Sequence, residues 1–427
     1  MNTGAPAGGA AVAVVPPSAH EGRLLLLGHW AAATALVGAL LAPPLANVAA
    51  LVLLLSFALL PSARRRLAAV MATPLGRATG TLLAVLSVSM LWADAPWKER
   101  VGAWWDWRPL LLLLVCLGIF DADARRRALL AFVAVASLGA AYSFWAWLGG
   151  YSTVGNNHGL PGIVLRNPVT QGVGFALACF LAAGLAAAER GLDRRLRALL
   201  ALASALLLAN LVFVTSGRSG HVLLLVLLAV AALRHLEGWR RAAAVALLPA
   251  AVALAVCVSP MLQSRFGLLV EELRAPLASE QISAMGIRTV MWDVSWRMAR
   301  ERPLLGYGTG GFPAAYRQAL AKTSYSGWAA TPTVDPHNQY LQVHLQAGLA
   351  GSVAFAWFLF AAFRHPGRWP HRAWAGAVLL GWCVIGLATS VFTTFAESHM
   401  LMLALGMLLA GGTAAGTEAA PTGPRTP

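Results

Sequence analysis

Long apolar runs alternate with short polar connections along most of the chain. Many of these runs are long enough for a helix to cross the hydrocarbon core of a bilayer. The predicted spans lie at residues 24–41, 45–60, 75–93, 109–120, 128–148, 168–188, 198–214, 221–233, 242–258, 345–363, 373–392 and 397–410. The runs are continuously apolar rather than alternating, which disfavours a membrane β-barrel. The sequence therefore predicts an all-α, polytopic membrane protein with about twelve transmembrane helices.

One long polar segment interrupts this pattern between the ninth and tenth spans. The chain is accordingly divided into a flexible tail at 1–22, spans 1–9 at 23–258, a polar segment at 259–344, spans 10–12 at 345–410 and a second flexible tail at 411–427. Within the polar segment, apolar residues recur at helical spacing from Ile287 to Met298. We expect an amphipathic helix there, capped by Ser283, ended by Pro303 and lying on the bilayer surface.

Charge fixes the expected orientation of these spans. The net charge is +15, although only 11% of the residues are charged and the mean hydropathy is +0.66. Arginine clusters follow every second span, and such clusters favour the cytoplasm. Both tails are then cytoplasmic and the polar segment is external, so the basic charge needs no nucleic-acid partner. The four cysteines lie far apart within apolar runs, which predicts neither a disulfide set nor a metal site.

The candidate chemistry lies on the side of the membrane that carries the polar segment. Pro336 is expected to start a helix that has His337 in its first turn, where the helix dipole favours a neutral imidazole that can act as a base. Arg218, Arg265 and Arg288 lie on the side where few basic residues are expected, and their planar guanidinium groups suit phosphate oxygens. The alternatives are a structural histidine, since the chain has 10, and arginines attracted to lipid headgroups.

Three other features are weighed against these residues. Glu397 lies at the start of the last span, and three roles are open for it. It pairs with an arginine, it orients His337, or it satisfies free amides at the helix start. Gly306-x-Gly308-x-x-Gly311 matches a dinucleotide fingerprint but does not follow a strand, so we interpret it as a flexible turn. Asp121 and Asp123 adjoin a cytoplasmic arginine cluster and are interpreted as a helix cap. No motif typical of a metal site occurs, and we expect no metal or cofactor.

The order and spacing of several short stretches resemble the O-antigen ligases, which are grouped with O-antigen polymerases and some protein O-oligosaccharyltransferases. The stretches are residues 215–218, Arg288 with Trp292, residues 302–308, Phe312, residues 336–341 and residues 348–351. By motif the resemblance covers about residues 215–351, and by its pattern of spans it extends over the whole chain.

The resemblance implies metal-independent, inverting glycosyl transfer of the GT-C class at the periplasmic face of a bacterial inner membrane. The donor would be O-antigen on undecaprenyl diphosphate, and the acceptor a sugar hydroxyl of lipid A-core. His337 would be the general base, with Asn338 and Glu397 as possible supporting residues. Arg218, Arg288 and Arg265 would bind the diphosphate. Lipids are the expected partners, and the protein is expected to be a monomer.

Three alternatives remain open from the sequence. A polymerase would join one lipid-linked glycan to another, and an oligosaccharyltransferase would use a Ser or Thr of a protein. A flippase or transporter of lipid-linked sugars belongs to a different class. It predicts polar residues in the middle of the spans, and this chain has few.

Overall fold

The computed structural model describes residues 18–153, 160–274 and 284–411. Most of the two predicted tails and the predicted cap Ser283 lie outside these residues. The described residues form helices and their connections, without a strand. The helices are α1 (Ala19–Leu41), α2 (Pro43–Ala58), α3 (Ala63–Met71), α4 (Pro74–Ser89), α5 (Trp97–Trp105), α6 (Pro109–Ile119), α7 (Ala122–Leu148), α8 (Pro168–Ala188), α9 (Arg194–Phe213), α10 (Arg218–His235), α11 (Gly238–Val258), α12 (Pro260–Arg274), α13 (Ala284–Glu301), α14 (Phe312–Leu320), α15 (Gln339–Arg364), α16 (His371–Ile385) and α17 (Phe395–Leu409).

Every predicted span overlaps one of these helices, although α16 ends at Ile385, before the predicted end of its span at residue 392. Within the described residues, eight helical stretches are long and apolar enough to cross a membrane, one of them formed by α5 together with α6. The number rises to nine if the bent pair of α2 and α3 counts as one span. The helices α16 and α17 are apolar but shorter. The chain is therefore a polytopic helical membrane protein, as the hydrophobic pattern predicted.

The most buried helix is α17, whose residues from Ala396 to Leu409 are all buried. It packs against α1, α6, α8 and α16. Small residues permit this close approach, because a side chain at Gly406 would collide with Cys116 and the main chain of Leu113 on α6. The last apolar run of the sequence is thus the centre of the bundle rather than its edge.

The arginine clusters gather at one end of the bundle, as their alternation along the sequence predicted. Arg66 donates to the carbonyl of Gly118 at the end of α6, and Arg125 donates to the carbonyl of Ala410 at the end of α17. Arg197 donates to the carbonyls of Ala186 and Glu189 at the end of α8. Cations at helix C-termini satisfy free carbonyls and the negative end of the helix dipole. This end is the one that the sequence analysis assigned to the cytoplasm.

The polar segment contributes a small second core. Val290, Val294 and Met298 of α13 are buried against α14 and Leu345 of α15. The apolar stripe of α13 was therefore predicted correctly, but protein covers it, rather than the bilayer that was expected to face it. A helical apolar period indicates burial of one face and does not identify the surface that covers it.

The helix α15 is broken near its start, and the polar segment fills the break. Ala347 and Gly348 have non-helical backbone angles, with φ +59° at Gly348. The amide of Tyr307 donates to the carbonyl of Leu345 at 2.7 Å, and the amide of Leu349 donates to the carbonyl of Pro303 at 3.0 Å. The connection between α13 and α14 thus satisfies main-chain groups that the break leaves without helical partners.

We expect Gly348→Val to lower the free energy of unfolding by about 2 kcal/mol or more. The new side chain would need a left-handed backbone conformation and would collide with the carbonyl of Leu304. Thermal unfolding in detergent measures the change. Gly376→Ala on α16 is the control, since nothing lies within 4 Å of its added carbon. Equal melting temperatures for the two variants would contradict this account of the break.

Candidate functional site

His337 lies just outside α15. Asn338 is the N-cap of that helix, and its side chain accepts hydrogen bonds from the amides of Tyr340 and Leu341, each at 3.0 Å. His337 therefore precedes the helix, and its expected place in the first turn was wrong. Its φ of +47° is in the left-handed region, which a non-glycine residue adopts at an energetic cost.

Side chains from three elements hold His337 in this conformation. Its amide donates to Asp335 Oδ1 at 2.5 Å, and its carbonyl accepts from Trp292 Nε1 at 3.3 Å. Ser390 donates to the same carboxylate oxygen at 3.1 Å. The imidazole Nδ1 lies 3.7 Å from Asp335 Oδ1, too far for a hydrogen bond but close enough for electrostatic attraction. The imidazole is 41% exposed, so a substrate can reach it.

The connection between α16 and α17 brings Arg288 to this segment. In this connection, the carbonyl of Leu387 accepts a hydrogen bond from Asn338 Nδ2 at 2.9 Å, and the carbonyl of Ala388 accepts one from Arg288 Nε at 3.1 Å. Arg288 is also one helical turn before Trp292, whose indole contacts the His337 carbonyl. Arg288 and the segment of His337 and Asn338 therefore lie beside the same connection, although 49 residues separate Arg288 from His337 along the chain.

The other two candidate arginines lie near the start of α10. Arg218 is the first residue of that helix, and a side chain at Gly217 would collide with the main chain of Pro168 at the start of α8. Arg265 of α12 interacts electrostatically with His221, one turn after Arg218. The starts of α8, α10 and α15 lie at the same end of the bundle, opposite the arginine clusters.

Glu397 has a different environment from His337. It is 1% exposed, and its Oε1 accepts a hydrogen bond from Thr170 of α8 at 2.8 Å. It also interacts electrostatically with Arg166, in the connection before α8. Of the alternatives stated for Glu397, the structure thus favours interaction with an arginine, and the carboxylate beside His337 belongs to Asp335.

A groove opens beside the histidine. It has a volume of about 860 Å³ and lies between α13, the first half of α15 and the connection at Leu387. Trp292, Trp296 and Leu341 contribute apolar surface, whereas Asn338 and His344 are polar. Because Asn338 is both part of the groove and the neighbour of His337, a molecule in this groove would reach the histidine.

Asp335 and Arg166 are the polar residues that the sequence analysis missed. The signal for Asp335 was its position two residues before His337, at the spacing of an Asx turn. The signal for Arg166 was a basic residue in a connection on the arginine-poor side.

The two motifs that were discounted have structural roles. Asp121 caps α7 by accepting from the amide of Ala124 at 2.8 Å, as predicted. The glycine-rich motif is a turn, as predicted, but it is packed rather than open. Side chains at Gly306 and Gly308 would collide with Leu345 and Ala93. Across the residues that the structure describes, no group of three or more His, Cys, Asp or Glu side chains could hold a metal ion.

These features define a polytopic membrane protein with a histidine and several arginines at one end of its helices. A family model described as O-antigen ligase matches residues 202–356, and this match supports assignment of the chain to the O-antigen ligase family. The family consists of membrane glycosyltransferase-like enzymes that use lipid-linked polysaccharides and lipid acceptors. The match includes Arg218, Arg265, Arg288 and His337 but ends before Glu397. A comparison with curated proteins finds no match.

The hydrogen bonds of Asn338 can be separated by mutation. Asn338→Ala removes both the helix cap and the bond to Leu387, so we expect a loss of about 2 kcal/mol in the free energy of unfolding. Asn338→Asp keeps an oxygen for the cap but loses the amide donor, and about half of that loss is expected. Thermal unfolding of the full chain in detergent measures both. Equal losses would show that the cap contributes nothing.

Proposed function

We propose that the protein is an O-antigen ligase. It transfers a polysaccharide from undecaprenyl diphosphate to a sugar hydroxyl of lipid A-core, at the periplasmic face of a bacterial inner membrane. The observation that supports this proposal is that an accessible imidazole at His337 and the Arg288 side chain are held beside one connection, inside the stretch that matches the ligase family. Arg288 donates to the Ala388 carbonyl, and Asn338, which follows His337, donates to the Leu387 carbonyl. The arginine-poor end that holds both residues is then the periplasmic one.

The reaction needs a base on the acceptor and stabilisation of the leaving group. His337 removes the proton of the acceptor hydroxyl. The acceptor oxygen then forms a bond to the anomeric carbon, on the face opposite the diphosphate. The bond from that carbon to the diphosphate oxygen breaks, and its electron pair leaves with the diphosphate. The proton remains on the imidazole, and the configuration of the sugar inverts.

Asp335 is a positioning residue in this scheme. Its carboxylate holds the main chain of His337 and faces the imidazole Nδ1. An anion on that side favours a proton on Nδ1, which leaves Nε2 with the lone pair that accepts the substrate proton. Ser390 fixes the carboxylate in turn.

The leaving diphosphate is stabilised by arginine. Arg288, Arg218 and Arg265 supply positive charge at the same end of the bundle, and a guanidinium group offers two parallel donors to phosphate oxygens. Charge that is fixed before the reaction begins can replace a divalent cation, because it stabilises the negative charge that develops on the leaving group. The lipid tail of a substrate fits the apolar groove beside His337.

The alternatives make different products. A polymerase would lengthen one lipid-linked glycan with another, and a protein O-oligosaccharyltransferase would attach the glycan to a Ser or Thr side chain. A flippase would move the lipid-linked glycan without forming a new bond. Purified protein incubated with the donor and each acceptor in turn distinguishes these outcomes by the mass of the product.

His337→Ala is expected to lower kcat for transfer by about 10² to 10⁴, because the acceptor hydroxyl loses its general base. The measurement is transfer of labelled glycan to lipid A-core by the purified protein. His20→Ala is the control, because His20 is exposed at the opposite end of the bundle. Transfer by the His337 variant at the rate of the wild type would exclude general-base catalysis by this residue.

Removal of divalent cations is expected to leave transfer unchanged, since arginine rather than a metal stabilises the leaving group. The measurement is the initial rate of transfer after dialysis against a chelator, with and without added Mg²⁺ or Mn²⁺. If the rate collapses in chelator and recovers with added metal, the metal-independent mechanism is wrong.

A further inference from the structure

Two arginines that the proposed mechanism does not use share one aromatic ring. The guanidinium carbon of Arg166 lies 5.0 Å from the centre of the Phe395 ring, and that of Arg108 lies 5.3 Å from the same centre. Arg108 precedes α6, Arg166 precedes α8 and Phe395 starts α17. Three separate parts of the chain therefore place two positive charges at the arginine-poor end of the bundle.

Arg108 is held in place by its own contacts. Its Nη2 donates to Asn47 Oδ1 at 3.0 Å, and its Nη1 donates to the carbonyl of Trp105 at 2.9 Å. Its guanidinium carbon also lies 5.3 Å from the centre of the Trp105 ring. The side chain is therefore fixed before any ligand arrives, which reduces the entropy cost of binding.

The backbone of Arg166 is strained and well supported. Its φ is +40°, a left-handed value that is uncommon for arginine. The amides of Val164 and Leu165 donate to Gln171 Oε1 at 3.0 and 3.1 Å, and Asn167 caps α8. Strain of this kind persists only where the surrounding structure enforces it, and it is often found at functional sites.

The positive charge of this pair is incompletely balanced. The Nη1 of Arg166 is buried and has no hydrogen-bond partner among the described residues. Two carboxylates lie near the pair: Asp106 interacts electrostatically with Arg108, and Glu397 with Arg166. The Oε1 of Glu397 is bonded to Thr170, and its Oε2 is buried with no partner in that same part of the chain. Burial lowers the pKa of Arg166, and the negative charge of Glu397 opposes this shift without cancelling it. The positive charge of Arg166 is therefore only partly balanced.

We infer that Arg108, Arg166 and the Phe395 ring form a binding site for the phosphate group of a lipid. Guanidinium groups that lie about one aromatic ring can donate to the oxygens of a phosphate, and the anion would relieve their mutual repulsion. The exposed Trp105 beside them is typical of the membrane interface, where lipid phosphates lie. The choice of lipids to test rests on the proposed function, whereas the site itself does not.

The test is equilibrium binding of defined lipids to the full-length protein in detergent, without turnover. The probes are undecaprenyl diphosphate without a glycan, a phosphorylated lipid A-core and phosphatidylglycerol. Arg166→Gln and Arg108→Gln are each expected to weaken binding of one of the first two probes by about tenfold to a hundredfold. The probe that loses affinity identifies the source of the phosphate, donor or acceptor.

Arg166→Lys keeps the charge but not the planar pair of donors, so an intermediate loss is expected. Arg317→Gln is the control, since Arg317 is an exposed arginine of α14 at the same end. If Arg166→Gln does not fold, as judged by thermal unfolding, Phe395→Leu removes the shared ring and is expected to weaken the same probe.

Unchanged affinities in both glutamine variants would overturn the site. An equal loss for phosphatidylglycerol would also overturn it, because the arginines would then only contact the bilayer. These binding results do not decide whether the protein is a ligase. A protein that binds one of the substrate lipids through Arg108 and Arg166 but transfers no glycan would refute the ligase and leave the site intact.

Discussion

The structure depends on satisfying main-chain carbonyls in the connection between α16 and α17. Each of these helices has 15 residues and extends about 22 Å, less than the roughly 30 Å of a hydrocarbon core. Their connection is therefore drawn toward the membrane, where an unsatisfied carbonyl costs several kcal/mol. The carbonyls of Gly386, Leu387 and Ala388 accept from the Gln339 amide, Asn338 Nδ2 and Arg288 Nε. Meeting this requirement is what brings α13 and the histidine segment together.

The two ends of the bundle use arginine differently. At one end, Arg66, Arg125 and Arg197 donate to carbonyls at the ends of helices and so complete the fold. At the other end, Arg166 and Arg218 lie at the starts of α8 and α10, where the helix dipoles are also positive. Positive charge next to positive helix ends does little for folding and favours the binding of anions. The arginine clusters that direct insertion in the membrane thus lie at one end. The opposite end has positive charges that suit a phosphate-bearing substrate.

Backbone strain is concentrated on the same side of the molecule. Within the described residues, the non-glycine residues with positive φ are Arg166 and His337. Each is followed by an asparagine that caps the next helix, Asn167 for α8 and Asn338 for α15. A cap fixes where a helix begins, and the residue before it takes the conformation that the approaching chain requires. In both cases an N-cap asparagine therefore follows the strained residue, so that Arg166 and His337 each lie just before the start of a helix.

The sequence by itself determined the spans, the side on which arginines cluster, the apolar stripe of α13 and the cap at Asp121, because each follows from local spacing and charge. It also singled out His337, Arg288 and Arg218 through short motifs. It could not place the stripe of α13 against α14, exclude His337 from α15 or assign Glu397 to Thr170. Periodicity reports that a face is buried but not what buries it, and contacts between distant residues depend on how the helices pack. The pairing of Arg108 with Arg166 over Phe395 was decided only by tertiary structure, since three connections far apart in the chain meet there.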